Sequence, residues 1–225
     1  MTNNYYAAGI ASFTRHKVDT KFNWNVNDKL TTSYRLSTTP WNVYSDAAFR
    51  NNALGGPPLF SQAWTAGNSD GSVWNAAATA VYSVRPTFIV DSYFGFTLED
   101  YNEVPGRSDE KVGLDYLKIP GTNGPRPQDG GWPRFNVSNY AAMGIGQTNL
   151  PIWVHDPQYS LGTNANWLKA THNIRFGGEI GREQLNHWEP GGARDSFNFT
   201  GGITTTRGGP VRISNRPGGT ALWPW

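Results

Sequence analysis

Strict alternation of apolar and polar residues in "TKFNWNVNDKLTTSYRLS", residues 20–37, is the feature that most limits how this chain can fold. Successive side chains of a β-strand point to opposite faces, so a period of two predicts a strand with one apolar and one polar face. The apolar phase carries Phe22, Trp24 and Val26 before a polar break at 27–29, and Leu30, Tyr34 and Leu36 after it. The polar phase carries Lys21, Asn23 and Asn25, then Thr31, Ser33 and Arg35. This pattern predicts a hairpin whose apolar face is covered either by a protein core or by lipid.

Two further segments repeat the pattern. The first is "VWNAAATAVYSVRPTFIVDSYFGFTLED", residues 73–100, and the second is "QYSLGTNANWLKATHNIRFGGEIGREQLNHW", residues 158–188. Each alternates on both sides of a short polar turn, as adjacent antiparallel strands do. We therefore predict an all-β chain, an antiparallel meander of about six long strands in three successive hairpins. The strands are expected near residues 17–26, 30–37, 73–84, 87–99, 158–168 and 173–188.

Long connections separate these hairpins. Residues 38–72 and 100–157 are rich in Gly, Pro, Asn and Asp and show no amphipathic helix of convincing length. Loops this long without helices are uncommon in compact soluble domains. Short turns at one end of the strands and long loops at the other are typical of outer-membrane β-barrels, whose long loops are extracellular.

Composition excludes several classes of function. The 225 residues hold 19 Lys and Arg against 17 Asp and Glu, and a net charge of +2 provides no basic surface for nucleic acid. Cysteine is absent, which excludes disulfides and thiolate sites. The N-terminal "MTNNYYAAGIASFTRHK" has neither the basic nor the apolar region of a secretory signal. No segment approaches the ~20 apolar residues of a membrane-spanning helix, so any membrane crossing must use strands.

Two signals favour lipid over a protein core as the cover of the apolar face. Trp24, Tyr82 and Trp167 each lie three residues before a short turn, on the apolar phase, as in the aromatic girdles of membrane barrels. The alternating runs are also longer than the ~5–6 residues of ordinary strands and close to the ~9–11 that a bilayer needs. The charged residues of the predicted strands fall on the polar phase, with the exception of Arg182. This separation is expected whether a protein core or lipid covers the apolar face.

We therefore predict part of a transmembrane β-barrel in the bacterial outer membrane. The residues expected to contact outer-membrane lipid are Phe22, Trp24, Leu36, Ala78, Tyr82, Phe94, Trp167 and Phe176. Those expected to face the barrel lumen are Lys21, Arg35, Asp91, Arg175, Glu179 and Glu183. The alternative is a soluble β-rich ligand-binding or carbohydrate-binding module that uses exposed Trp41, Trp132 and Trp153. A hydrolase is a more remote third possibility.

Several segments resemble the barrel of TonB-dependent outer-membrane receptors, in particular the subgroup that begins with a carboxypeptidase-regulatory-like domain. They are "FTRHKVDTKFNWNVNDKLTTSYRLS", "GLDYLKIPGTNGPRPQDGGWPRFNVSNY", "THNIRFGGEI", "REQLNHW" and "FNFTGG", in order from about Asn4 to Gly209. The most recognisable is "THNIRFGGEI", which marks a turn entering a barrel strand. The resemblance implies a wider barrel around a plug domain, which imports a scarce large ligand with energy passed on by TonB.

The chain departs from that family in what it lacks. It shows no plug, no TonB-contacting segment, no signal and no closing strand, and "RISNRPGGTALWPW" is expected to lie in an external loop. Residues 1–225 are therefore interpreted as one incomplete barrel domain. Six strands are too few to close the wide barrel of the family, so we expect no transport by this segment alone. In the intact receptor its expected partners are lipid, the plug, TonB and a ligand that no residue here identifies.

No group of residues predicts catalysis, a cofactor or a metal. His16, His155, His172 and His187 are expected in different loops and turns, with no pair at ligand spacing. Asp156 follows His155 directly, but adjacent residues of a strand point apart, and no nucleophile motif accompanies them. Glu179 and Glu183 share a face at a separation of ~13 Å, too far for a carboxylate pair that acts on one bond. We expect a protein that is not an enzyme.

Overall fold

The structure is a computed structural model that describes residues 5–50, 54–60, 63 and 65–200. The segment "RISNRPGGTALWPW", expected to be an external loop, lies outside the described residues. The strands are β1 (Ala11–Arg15), β2 (Val18–Asn27), β3 (Leu30–Ser45), β4 (Gly67–Arg85), β5 (Phe88–Pro105), β6 (Arg134–Val137), β7 (Met143–Gly144), β8 (Ile152–Lys169), β9 (His172–Glu183), β10 (His187–Trp188) and β11 (Ser196–Phe199).

One large antiparallel sheet contains eight of these strands. β1 and β2 both pair with β3, so together they form one long strand with a break. β9 and β10 both pair with β8 and form a second interrupted strand. The sheet therefore runs across six long strands in chain order, from β1 and β2 through β3, β4, β5 and β8 to β9 and β10. The predicted all-β meander of three hairpins is confirmed.

The predicted strands were too short at the end opposite the turns. β3 continues to Ser45, β4 begins at Gly67, β5 continues to Pro105 and β8 begins at Ile152, all within segments expected to be loops. These extensions carry polar residues such as Asn42, which propensity does not associate with strands. They form because continuous pairing, for instance of β3 with β4 from Leu30–Tyr82 to Ser45–Gly67, satisfies their backbone groups.

The three hairpin turns are staggered. We call residues that lie directly opposite one another across the sheet a row. Leu30, where β3 begins at the first turn, shares a row with Val90. Val90 is two residues from Phe88, where β5 begins at the second turn. Phe88 lies opposite Trp167, again two residues from the end of β8 at Lys169. The turns thus advance by one residue per strand, a slope of about 35° at ~3.3 Å per residue and ~4.8 Å per strand, which matches the strand tilt of membrane barrels.

The connections at the other end pack together. We call the described parts of 46–66, 106–151 and 189–200 the loop layer. Gly56 N donates to Gly144 O at 2.6 Å, and Gly192 N donates to Thr148 O at 3.3 Å, so all three connections are joined. The loop layer holds a small sheet of β11, β6 and β7, in which β11 and β6 are parallel.

Two single helical turns occur in the loop layer, a π-helical one at Val112–Tyr116 and a 3₁₀ one at Pro127–Asp129. Within the described residues, no helix has the length and apolar character needed to cross a membrane. The apolar core is small and lies where the loop layer contacts the sheet. It consists of Ile145, Leu150, Ile152 and Val154, with Tyr101 packed against it.

Candidate functional site: the polar face and the loop layer

The pairing register sorts the side chains of the large sheet onto two faces. One row places Phe22, Tyr34, Ala78, Phe94, Leu161 and Ile180 together, and we call this side the apolar face. The next row places Lys21, Arg35, Ala77, Gly95, Ser160 and Gly181 on the opposite side, the polar face. All eight residues predicted to contact lipid lie on the apolar face, and all six predicted to face the lumen lie on the polar face.

The apolar face is a band of limited height. On β5 it runs from Phe88 to Leu98, and the next residue on that face is Asp100. At ~3.3 Å per residue and a tilt of ~40° this span is about 25 Å tall, the height of the apolar band of outer-membrane barrels. On β8 the band ends in the same row, where His155 Nδ1 lies 3.1 Å from Asp100 Oδ2.

Large side chains of the apolar face have no protein cover among the described residues. Trp24 is 51% exposed, Phe176 56% and Ile180 70%. Two hydroxyl groups in the middle of this face, those of Ser92 and Thr163, pair with each other across β5 and β8 with oxygens 3.0 Å apart. Beyond the band, Trp153 and Trp188 stack with ring centroids 4.5 Å apart. Aromatic rings thus occur at both ends of the apolar face.

The polar face is joined by contacts between strands. Arg35 forms a two-pronged ion pair with Asp19, with Nε 3.0 Å from Oδ1. Asn164 Nδ2 donates to Asp91 at 3.0 Å. An open groove of about 540 Å³ lies on the polar face. Its lining includes Arg35, Gly95 and Glu179.

Tyr93 reaches across one strand to contact the next. Tyr93 on β5, Gly162 on β8 and Glu179 on β9 share a row, and the Tyr93 hydroxyl hydrogen-bonds with Glu179. A Cβ added at Gly162 would lie 2.5 Å from the Tyr93 ring, so only glycine leaves room for the ring above β8. This contact holds three strands in one register on the polar face.

The loop layer covers the polar face and leaves the apolar face free. Tyr101 and Val154, which share a row on the polar side, belong to or contact the apolar core under the loop layer. Ser69 and Glu103, on the same side, are buried, whereas Asn68 and His155 on the opposite side are exposed. The polar face is therefore the interior side at this end of the sheet.

Arg194 holds the loop layer together from its centre. Its guanidinium donates to the backbone oxygens of Gly130 and Leu150, and to that of Gln128 at 2.8 Å. The residue is 2% exposed. Burial lowers the pKa of Arg194 to about 10, opposed by the charge of Asp129, so the side chain stays protonated at neutral pH.

Asn123 and Asp129 complete this buried polar network. Asn123 Oδ1 accepts from Gly113 N at 2.7 Å, and its Nδ2 donates to the oxygens of Asp129 and Gly131, each at 2.9 Å. Hydrogen bonds from Arg126 hold the pKa of the Asp129 carboxyl below its usual value despite burial. Polar contacts, more than an apolar core, thus fix the loop layer.

Residues considered in the sequence for other functions are not brought together. Trp132 is 7% exposed and lies in the loop layer, so the expectation that its ring is exposed was wrong. Trp41 and Trp153 are half-buried and lie on opposite faces of the large sheet, so they do not form one binding surface. The expectation that the histidines lie in loops and turns was wrong for His155, His172 and His187, which lie in β8, β9 and β10. Within the described residues, no three His, Cys, Asp or Glu side chains form a metal-binding group.

Sequence reasoning missed the residues that organise this site. Arg194 and Asn123 lie in Gly-rich connections where no periodicity marks a buried side chain. The contact of Tyr93 with Gly162 and Glu179 is visible only once the register between β5, β8 and β9 is known. The alternation by itself places Tyr93 and Glu179 on the polar phase.

Comparison with known proteins gives one match. Residues 1–218 match a protein family described as "Outer membrane beta barrel domain". No curated protein and no solved structure matches the chain.

Proposed function

Because the chain belongs to the outer membrane beta barrel domain family and is therefore a protein of the bacterial outer membrane, we propose that it forms part of the barrel of a TonB-dependent receptor. Such a receptor binds a scarce large ligand outside the cell and imports it with energy passed on by TonB. Family membership also rejects the alternative of a soluble binding module.

In this proposal the apolar face contacts lipid and the polar face lines the lumen. The apolar band is about 25 Å tall, which is the height of a barrel's lipid-facing band. The exposed rings of Phe22 and Phe94 face the acyl chains, and Trp24, Tyr82 and Trp167 lie near the interface at the short turns. Lys21, Arg35, Asp91, Arg175, Glu179 and Glu183 are then the lumen charges available to a plug domain.

The observation that carries the proposal is the position of the loop layer. It covers the polar face at the end opposite the short turns, where outer-membrane barrels have their extracellular loops. A hydrogen-bonded extracellular layer over the lumen is suited to binding a ligand before import. The sequence resemblance to TonB-dependent receptors supports the same conclusion.

A six-stranded sheet with open edges does not transport by itself. Within the described residues β2 pairs only with β3, and β9 pairs only with β8, so both outer strands have a free edge. Unpaired backbone groups are not tolerated in lipid. Further strands must close the barrel, and import belongs to the complete protein.

The test is the conductance of the full-length protein in a planar lipid bilayer, together with binding of the periplasmic domain of TonB. We expect no steady conductance until urea displaces the plug, and we expect TonB to bind the purified protein. Steady conductance without urea, with no TonB binding, would instead identify an open porin and reject the proposal.

A further inference from the structure

Four carboxylates surround one aromatic pair on the polar side, directly below the loop layer. Glu99 and Glu103 lie on β5 on either side of Tyr101, and Asp156 on β8 lies opposite Glu99. Glu189 follows β10, which pairs with β8 through Val154 and Trp153, so it reaches the same end of this face. We call Glu99, Glu103, Asp156 and Glu189 the acidic patch.

Charge in the acidic patch is poorly compensated. Glu99 and Asp156 are directly opposite across two antiparallel strands, a position in which like charges repel. Asp156 accepts a hydrogen bond from Asn186 N at 2.7 Å, whereas among the described residues Glu99 has no hydrogen-bond or ion-pair partner. Arg15, in the row of Tyr101, is a nearby cationic group. Glu189 contacts His187 Nε2 and accepts from Asn149 Nδ2, each at 3.2 Å.

Glu103 provides an independent sign that a partner is missing. Its side chain is buried, with 9% of the residue exposed, and its Oε2 has no hydrogen-bond partner among the described residues. Buried carboxylate oxygens in folded proteins are nearly always paired. A cation bound beside Glu103 would supply that partner.

The aromatic pair gives the patch a preference among cations. The rings of Trp41 and Tyr101 lie with centroids 6.2 Å apart above Gly71, where a Cβ would come within 2.4 Å of Tyr101 Cβ. An aromatic face attracts organic ammonium and guanidinium groups, which shed water more easily than metal ions. Glu99 and Glu189 are exposed and Asp156 is half-buried, so such a group can enter.

We propose that the acidic patch, with Trp41 and Tyr101, binds an organic ammonium or guanidinium group of the molecule that the receptor takes up. The inference rests on the proposed import function and defines the chemical class of the ligand. A cationic ligand is held at the lumen entrance, and an anionic one is repelled.

The test measures equilibrium binding of putrescine to the purified full-length protein in detergent. Butane-1,4-diol and succinate, of the same chain length, serve as neutral and anionic probes. We expect saturable binding of putrescine alone, weakened by added salt. Each of Glu99→Gln and Asp156→Asn is expected to weaken it about tenfold.

Asp100→Asn is the matched control, because Asp100 neighbours Glu99 in the chain but lies on the opposite face, beside His155. We expect it to leave putrescine affinity unchanged. Unfolded variants are recognised by loss of the heat-dependent shift in electrophoretic mobility shown by folded barrels. Equal binding of the diol, no saturable binding of putrescine, or an equal loss in Asp100→Asn would overturn the proposal. A protein that binds TonB but not putrescine would reject this inference and leave the proposed function standing.

Discussion

Replacing either of two adjacent alanines of β4 with arginine gives the sharpest test of which face of the sheet contacts lipid. Ala78 lies on the apolar face, four residues from Trp74 and four from Tyr82, which mark the aromatic ends of that run. At ~3.3 Å per residue and a tilt of ~40° it is about 10 Å from each end, near the middle of the bilayer. Ala77 lies at the same height on the polar face, opposite Arg35 and Gly95.

Ala78→Arg should lower the free energy of unfolding by ~2–4 kcal/mol, the cost of arginine at mid-bilayer on a lipid-facing strand. This is roughly a 30- to 900-fold change in the folding equilibrium. Ala77→Arg enters a water-accessible groove and should cost less than about 1 kcal/mol, mainly through repulsion by Arg35.

The assay is guanidinium unfolding of the full-length protein in phospholipid vesicles, followed by tryptophan fluorescence. Both variants carry the same side chain on the same strand, so differences in strand propensity cancel. Equal costs at the two positions, or a larger cost at Ala77, would refute the assignment of the apolar face to lipid.

Three further predictions concern the polar face and the loop layer. Gly162→Ala should displace the Tyr93 ring and lower the free energy of unfolding by ~1–3 kcal/mol. The control Gly178→Ala should have little effect, because nothing lies within 4 Å of its added Cβ. Equal effects of the two substitutions would contradict the close contact. Arg194→Met should leave three backbone oxygens without their hydrogen-bond donor. Proteolysis within 106–151 should then become faster, while the heat resistance of the barrel is kept. An unchanged rate of proteolysis would contradict the central role of Arg194. Since the pKa of Asp129 is lowered in the folded protein, its stabilisation is present above the unfolded pKa and lost as pH falls below about 4. Proteolysis of the loop layer should accelerate there, and Asp129→Asn should reduce that pH dependence; an unchanged pH dependence would contradict the role of Asp129.

The fold was predictable from sequence where one physical rule acted alone. Strand alternation located all six strands and placed Phe94 and Asp91 on opposite faces, because membrane strands have no other way to separate apolar from polar side chains. The extensions of β3, β4, β5 and β8 were not predictable, since they lack clean alternation. Polar residues such as Asn42 and apolar residues such as Trp41 and Val154 are mixed there, and pairing with a neighbouring strand fixes them.

The loop layer was not predictable for a different reason. Arg194 and Asn123 act through hydrogen bonds to backbone groups far away in sequence, such as Arg194 to Leu150. Backbone acceptors carry no sequence signature, so no motif reveals which polar side chain of a Gly-rich loop is buried. The acidic patch also depends on register, because Glu99 and Asp156 meet only when β5 and β8 are aligned.

Contact with lipid is measured most directly by fluorescence quenching in brominated phospholipid. The 225 residues contain no Cys, which favours single-site labelling in this region of the full-length protein. Bimane attached at Phe94→Cys, on the apolar face, should be strongly quenched by bromine on the acyl chains. The same label at Thr79→Cys, in the adjoining strand on the polar face, should be quenched little. Equal quenching at the two sites, or stronger quenching at Thr79, would contradict a barrel whose apolar face contacts lipid.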